Sequence, residues 1–210
     1  DQGIRNDFDN MVKALAGLLS IPSYKGDALP DAPFGVKTKQ ALDELLRLGG
    51  QMGFVTHSID NMAGFVEFGE GDQMVAALGH LDVVPPGDGW TGDPFVPVIT
   101  EDRIVARGAI DDKGPVIACL YAMKALKDAG YVPPARIRLI VGLDEESGSS
   151  CMARYTRTEE LPAAGFTPDA SFPAAYADKG ILHLVFRMEE PVVLRHPAGP
   201  VAVRMRGGDR

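Results

Sequence analysis

The stretch MVAALGHLDVVPPGDGW, residues 74–90, decides the fold because a short apolar run leads directly into polar residues and a turn-rich loop. The run MVAAL is continuous and brief, which is typical of a strand buried on both faces of a sheet. His80 and Asp82 follow it, and residues 85–102 are rich in proline, glycine and aspartate. The pattern predicts a rigid strand that delivers an imidazole and a carboxylate to one edge of a sheet.

Apolar periodicity on either side of this strand predicts helices and strands in alternation. Helices are predicted at residues 4–19, 36–48, 114–128 and 148–157, with Gly49–Gly50 ending the second. Further strands are predicted at residues 54–59, 62–69, 103–108, 136–143 and 181–188, with Asn61 near the turn between the first two. Strands that alternate with helices predict an α/β sandwich around a central sheet.

Composition and charge limit the classes of partner. The 210 residues carry 21 Lys and Arg against 29 Asp and Glu, a net charge of −8, which disfavours nucleic acid and anionic membranes and suits cations. No run of 18 apolar residues is present, so we expect no membrane span. The two cysteines, Cys119 and Cys151, have no metal-like spacing and predict a reducing, cytoplasmic location.

Four short motifs place acids or a histidine directly after an apolar strand or within a tight loop. They contain His80 and Asp82, then Asp111 and Asp112 in RGAIDDKGP, then Asp144, Glu145 and Glu146 in GLDEESGS, and finally Asp169 in GFTPDASFP. If the strands that precede the first and third motifs are parallel neighbours, these groups meet at one edge of the sheet.

Several carboxylates in one cleft require a positive partner, because burying each of them unpaired costs several kcal/mol. Lys113 is a single cation and is not enough, so the motifs predict one or two divalent metal ions. One imidazole among carboxylates suits Zn, Mn or Co better than Ca or Mg. We expect His80 to bind metal, Asp82 to fix its tautomer, and one of Glu145 and Glu146 to bind metal while the other acts as a base.

Each motif also has an ordinary structural explanation when it is taken alone. Asp111 and Asp112 suit the start of the next helix, the two glutamates suit a surface loop, and Asp169 after a proline suits a turn. No motif of this kind pairs an acidic residue with His57, His183 or His196, so these histidines are interpreted as structural. The four motifs favour an ion site only as an ordered set.

Together with ADKGIL, these motifs resemble the co-catalytic zinc exopeptidase family that includes carboxypeptidase G, acetylornithine deacetylase and succinyl-diaminopimelate desuccinylase. The resemblance covers roughly residues 8–187 and is greatest to the dipeptidase branch, PepV-type and carnosinase-like. It implies a three-layer sandwich with a central mixed, mostly parallel sheet flanked by helices. The resemblance also implies a cis peptide just after Asp111. It implies that His80 and Asp169 are ligands of one Zn²⁺ ion, that Glu146 is a ligand of a second, and that Asp111 bridges the two. The remaining implied roles are Glu145 as general base and Asp82 as the residue that orients His80.

The sequence also departs from the family's pattern. The family continues for roughly as many residues again, with a lid domain and a last histidine ligand for which this chain shows no match. We therefore expect residues 1–187 to be the N-terminal part of a metallopeptidase catalytic domain without its lid, and residues 188–210 to be an irregular or truncated tail. Asp178 stands in ADKG where the resemblance leads us to expect glutamate.

The resulting functional prediction is metal-dependent hydrolysis of the amide bond of dipeptides or small peptides. Zn²⁺ is the expected cofactor, and Mn²⁺ or Co²⁺ are alternatives. An N-acyl-amino-acid deacylase of the same family and a non-catalytic metal-binding fragment remain open. A small peptide is the expected partner, without nucleic acid or membrane, and the sequence does not predict an oligomeric state.

Overall fold

The computed structural model describes residues 3, 5, 7–170 and 175. Helices run over Phe8–Leu19 (α1), Val36–Gln51 (α2), Lys113–Asp128 (α3) and Ser150–Thr158 (α4). Strands run over Val55–Ile59 (β1), Ala63–Phe68 (β2), Met74–His80 (β3), Val98–Ile99 (β4), Ile104–Val105 (β5), Arg136–Gly142 (β6) and Ala164–Phe166 (β7). A short 3₁₀ turn, Glu145–Ser147, follows β6.

The main sheet is mixed, as predicted. Its described strands lie in the order β1-β2-β6-β3-β7. Strand β2 pairs antiparallel with β1 and β6, whereas β3 pairs parallel with β6 and β7, so the described sheet is half parallel rather than mostly so. The connections explain this: β1 and β2 are joined by a tight turn in which Asp60 and Asn61 have positive φ, whereas β3 and β6 are joined through the crossover helix α3.

Helices cover both faces of this sheet. On one face, α2 packs so closely on β2 that Gly49 lies directly against Val66. On the other face, Arg138 of β6 donates a hydrogen bond to the Tyr155 hydroxyl of α4, at 3.0 Å. Val66 pairs with Leu139, the neighbour of Arg138, and adjacent residues of a strand point to opposite faces. Helices α2 and α4 therefore lie on opposite sides, which gives the three predicted layers.

The core lies mainly between the sheet and α2 and α3. The fully buried apolar residues that α2 and α3 contribute are Ala41, Leu42, Leu45, Val116, Ile117 and Leu120. Strand β3 is less enclosed than a strand buried on both faces, because Val75 and Leu78 are 38% and 37% exposed. Only the three-residue strand β7 lies beyond β3 in the described sheet, so this margin has less cover.

Gly49 and Gly50 do not end α2, contrary to the sequence prediction, and the helix continues to Gln51. Gly49 serves close packing instead: a Cβ there would lie 2.9 Å from both methyl groups of Val66. The chain leaves the helix at Gly53, whose φ of 74° is a left-handed conformation that glycine adopts without strain.

The neighbouring variants Gly49→Ala and Gly50→Ala are expected to change stability in opposite directions. Replacing a helical glycine by alanine stabilises by roughly 0.5–1 kcal/mol where the methyl group has room. No heavy atom of the described residues lies within 4 Å of a Cβ at Gly50, so we expect the Gly50→Ala variant to be more stable. The methyl at Gly49 must displace Val66, and such overpacking typically costs about 1–3 kcal/mol. Urea unfolding of both variants measures the difference, and equal stability would contradict the packing role of Gly49.

The remaining predicted elements agree in part with the structure. Strand β4 lies inside the predicted loop 85–102 and pairs with β5 as a small hairpin. The predicted strand 181–188 and the predicted boundary between residues 187 and 188 lie outside the described residues. None of the helices in the described part has the length and apolar character needed to cross a bilayer.

Candidate metal centre

His80 is the last residue of β3, and the register of the sheet fixes its position. It pairs with Gly142, the last residue of the parallel strand β6. The Leu81 N–H continues this pairing by donating to the Gly142 carbonyl oxygen at 2.9 Å. The polar residues that follow the two strands therefore meet at one edge of the sheet, as expected for parallel neighbours.

The orientation of the His80 ring leaves one nitrogen facing carboxylates. Nδ1 lies 2.9 Å from the Asp82 carbonyl oxygen, which can only accept, so Nδ1 carries a proton. Nε2 is buried and makes no hydrogen bond of good geometry with any residue that the structure describes, yet it lies 3.0 Å from Asp111 Oδ1 and 3.4 Å from Asp169 Oδ2. In a neutral ring Nε2 would present its lone pair to two anions. The arrangement therefore requires a cation there, either a second ring proton or a metal ion.

Asp111 and Asp112 are adjacent but have different surroundings. The peptide bond between them is cis, as the family resemblance implies. The Asp111 side chain is half-exposed, whereas Asp112 is fully buried and its Oδ2 accepts the His80 N–H at 3.1 Å. Gly79 makes room for this carboxylate, because any Cβ there would collide with Asp112 Oδ2. Burial raises the pKa of Asp112 to about 7.

Asp82 holds the turn that carries Glu145 and Glu146. Its Oδ1 accepts the Glu145 N–H and its Oδ2 accepts the Glu146 N–H, each at 3.1 Å. We expected this carboxylate to accept the ring N–H of His80, but the Asp82 carbonyl takes that hydrogen bond, and Oδ1 lies 3.5 Å from Nδ1. The 3₁₀ turn also explains how two adjacent glutamates approach one site, which they could not do on a strand.

Asp144 supports the same turn from its other side. Its carboxylate accepts hydrogen bonds from the Ser147 hydroxyl at 2.5 Å and from the Ser150 hydroxyl and N–H at 2.5 and 3.2 Å. Lys25, from the loop after α1, lies 2.7 Å from Asp144 Oδ1. Burial raises the pKa of Asp144, but these donors outweigh burial and lower it overall. Asp144 is therefore a buried anion that is fully satisfied by protein donors.

The structure brings the predicted ligands and the predicted base together. Asp169 follows β7, which pairs with β3. Donor atoms of His80, Asp111 and Glu146 lie within 4.8 Å of one another, and so do those of His80, Glu145 and Asp169. Both groups share His80, and neither contains another histidine among the described residues. Asp178, His183 and His196 lie outside the described residues.

The electrostatics of the cluster favour a bound cation. Burial, followed by repulsion from neighbouring carboxylates, raises the pKa of Glu145, Glu146 and Asp169. Burial lowers the pKa of His80, but the hydrogen bond and charge of Asp82 reverse this and raise it to about 10. Without a metal ion, the His80 ring therefore keeps a second proton at neutral pH, at the nitrogen that faces the carboxylates.

Lys113 does not neutralise the cluster. Its buried Nζ donates to the carbonyl oxygens of Leu18 and Ile21, at 3.0 and 2.7 Å. It therefore joins the start of α3 to the end of α1, and burial lowers its pKa to about 7. With Lys113 used elsewhere, the orphaned His80 Nε2 and the surrounding oxygens form a donor set that fits a divalent ion.

Two structural contributors were not identified from the sequence. Asp112 was identified only as one of an acidic pair, and no sequence pattern indicates that its carboxylate accepts the backbone N–H of His80. Lys25 carries no local signal at all, because its partner Asp144 lies 119 positions away.

Comparison with known proteins adds a family and several relatives. The model of peptidase family M20/M25/M40 matches residues 76–190. A predicted dipeptidase of Staphylococcus epidermidis is 49% identical over 178 residues, which are 83% of this chain and 38% of that protein. The chain thus spans about two fifths of the length of this relative.

Two solved structures are similar in fold. Human carnosine dipeptidase 1 matches with a TM-score of 0.62 and 26% identity, over 72% of this chain and 35% of that one. The di-peptidase Dug1p of Saccharomyces cerevisiae matches with a TM-score of 0.60 and 25% identity, over the same shares of the two chains.

Proposed function

Because the chain belongs to peptidase family M20/M25/M40, we propose that its cleft hydrolyses the amide bond of dipeptides or small peptides with the help of bound metal. The observation that carries the proposal is the buried His80 Nε2, which faces Asp111 and Asp169 and has no hydrogen-bond partner in the described part of the chain. The names of the relatives support a dipeptide substrate, since the bacterial, human and yeast proteins are all described as dipeptidases.

We assign the ligands as the resemblance implies. His80, Asp111 and Asp169 would hold one ion, and Asp111 and Glu146 would contribute to a second. The proximity of His80 to Asp111 and Asp169 supports the first set, and that of Asp111 to Glu146 supports the second. Zn²⁺ is the proposed ion, with Mn²⁺ or Co²⁺ as substitutes, because imidazole and carboxylate donors suit these metals.

The metal would supply Lewis-acid polarisation of the scissile carbonyl and acidify a water molecule. Glu145 would take the proton from the attacking water and return it to the leaving amine nitrogen. Burial raises the pKa of Glu145, which brings this carboxylate closer to the range in which a general base is effective. Asp82 would position both partners, since its carbonyl orients the His80 ring and its carboxylate holds the Glu145 backbone.

Metal removal tests the proposal. The chain is stripped with a chelator and assayed against a panel of dipeptides before and after addition of Zn²⁺, Mn²⁺ or Co²⁺. We expect hydrolysis only with metal, and release of free amino acids as the measured signal. Hydrolysis that persists in the stripped chain would contradict the proposal. Faster hydrolysis of N-acetyl amino acids would instead indicate the deacylase, and metal binding without turnover would indicate a non-catalytic metal-binding chain.

We also propose a cytoplasmic location. Cys119 and Cys151 are both free thiols, which suits a reducing compartment. Burial raises the pKa of both thiols, so they are protonated and poorly reactive at neutral pH. Fractionation of cells that express the tagged chain tests this location.

A further inference from the structure

An ion pair at the margin of the cleft links the loop after α1 to the turn that carries Glu145 and Glu146. Lys25 Nζ lies 2.7 Å from Asp144 Oδ1. The Lys25 side chain is 45% exposed, whereas that of Asp144 is 2% exposed. Lys25 Nζ also lies 5.3 Å from the centre of the Phe34 ring, which favours its position over Asp144.

Asp144 is placed so that any shift in its carboxylate moves the turn. It directly precedes Glu145, and it binds the turn at Ser147 and the first residue of α4 at Ser150. Its carbonyl oxygen accepts the Ser149 N–H at 2.6 Å. Together with the two hydrogen bonds from Asp82, these contacts hold the turn at both ends.

Lys25 is the only cation described at this carboxylate. Without Lys25, the buried Asp144 would stand as an uncompensated anion beside Glu145, Glu146 and Asp82. Loss of the Lys25 ammonium removes the contact that holds Asp144 Oδ1 from the side of the loop, so that the carboxylate can turn toward solvent. This movement breaks hydrogen bonds to the serines and displaces the turn.

From these contacts we propose that Lys25 is a positioning residue of the metal centre, acting through Asp144 to hold Glu145 and Glu146 in place. The inference rests on the proposed function, because it takes the cleft to bind metal. Asp144 contacts the turn and the first residue of α4, so the loss of Lys25 acts first on the geometry of the turn, and hence on the ion.

Co²⁺ binding to the full chain tests this role, with affinity and the visible absorption spectrum as readouts. Lys25→Met is expected to weaken Co²⁺ binding about 10-fold, the scale typical of losing a residue that orients ligands. Its spectrum should change in band position or intensity, because the spectrum reports ligand geometry. Lys25→Arg should restore most of the affinity and the wild-type spectrum, since it keeps the charge.

Two further variants complete the design. Lys39→Met is the matched control, because Lys39 makes an ion pair of the same length, 2.7 Å, with Asp43 on α2. It should leave Co²⁺ binding unchanged. Asp144→Asn breaks the same pair from its buried side and should weaken binding in the same direction as Lys25→Met. Asp144→Asn therefore decides the matter if Lys25→Met does not fold.

The outcomes separate this inference from the proposed function. Co²⁺ binding that depends on His80 but is unchanged in Lys25→Met and Asp144→Asn would overturn the positioning role alone. Co²⁺ binding that is equally weak in the wild type and in His80→Ala would remove the metal centre, and both proposals would be wrong.

Discussion

We expect Glu145→Gln to lower the turnover number for a dipeptide by roughly 10²–10⁴-fold, the contribution typical of a general base. The glutamine side chain is nearly isosteric, so the turn and its hydrogen bonds from the backbone to Asp82 should persist. The amide cannot take a proton from water, and this loss is the intended change. Affinity for Co²⁺ should be retained, because glutamine keeps the shape of the side chain and Glu145 is not one of the proposed ligands.

Glu146→Gln is the matched variant, since it makes the same chemical change at the adjacent residue of the same turn. It should lose Co²⁺ affinity first and activity as a consequence. The two variants can be compared directly because each glutamate has a donor atom near His80. Glu146 lies in one group of donors with His80 and Asp111, and Glu145 lies in the other with His80 and Asp169. Loss of affinity in Glu145→Gln with retained affinity in Glu146→Gln would mean that the proposed roles are exchanged.

His80→Ala should cause the largest loss of metal binding. Both groups of converging donors contain His80, so no group of three survives its removal among the described residues. We expect the dissociation constant for Zn²⁺ or Co²⁺ to rise by more than the roughly 10- to 100-fold that follows loss of an outer-sphere partner. Isothermal titration of the stripped chain measures this change.

His57→Ala is the control for the removal of a histidine. His57 lies exposed on β1, where the centre of its ring is 5.4 Å from that of Phe65. No group of converging donors found among the described residues includes it. Its replacement should leave ion affinity unchanged. Equal affinities in wild type and His80→Ala would contradict the metal centre, whatever the activity of the chain.

The sequence was sufficient for the fold class, and it identified the histidine and the acids that the structure brings to one edge of the sheet, because both depend on local patterns. The apolar run before His80 and the run before Asp144 predicted two buried strands, and their parallel pairing brought the polar residues to one edge. Sequence could not locate the end of α2, because Gly49 is explained by its contact with Val66 rather than by helix termination.

The finer arrangement of the site was not predictable for a similar reason. The expectation for Asp82 used the carboxylate, the usual partner of a metal-binding histidine, whereas the chain uses the carbonyl for His80 and the carboxylate for the turn. That division depends on how the chain bends after β3. The contact of Lys25 with Asp144 depends on the packing of a loop against a distant turn, which no local pattern encodes.

The hydrogen bonds that shape the cleft have a consequence for the order of folding. They join residues 119, 63 and 32 positions apart: Lys25 to Asp144, Asp82 to Glu145, and His80 to Asp112. Contacts of such long sequence separation are entropically costly until the intervening chain has condensed. The register of β3 on β6, which joins Met74 to Arg136, spans a comparable separation. We therefore expect the cleft to form only once these two strands have paired, so that capture of an ion during refolding would report the pairing of distant strands rather than an early local collapse.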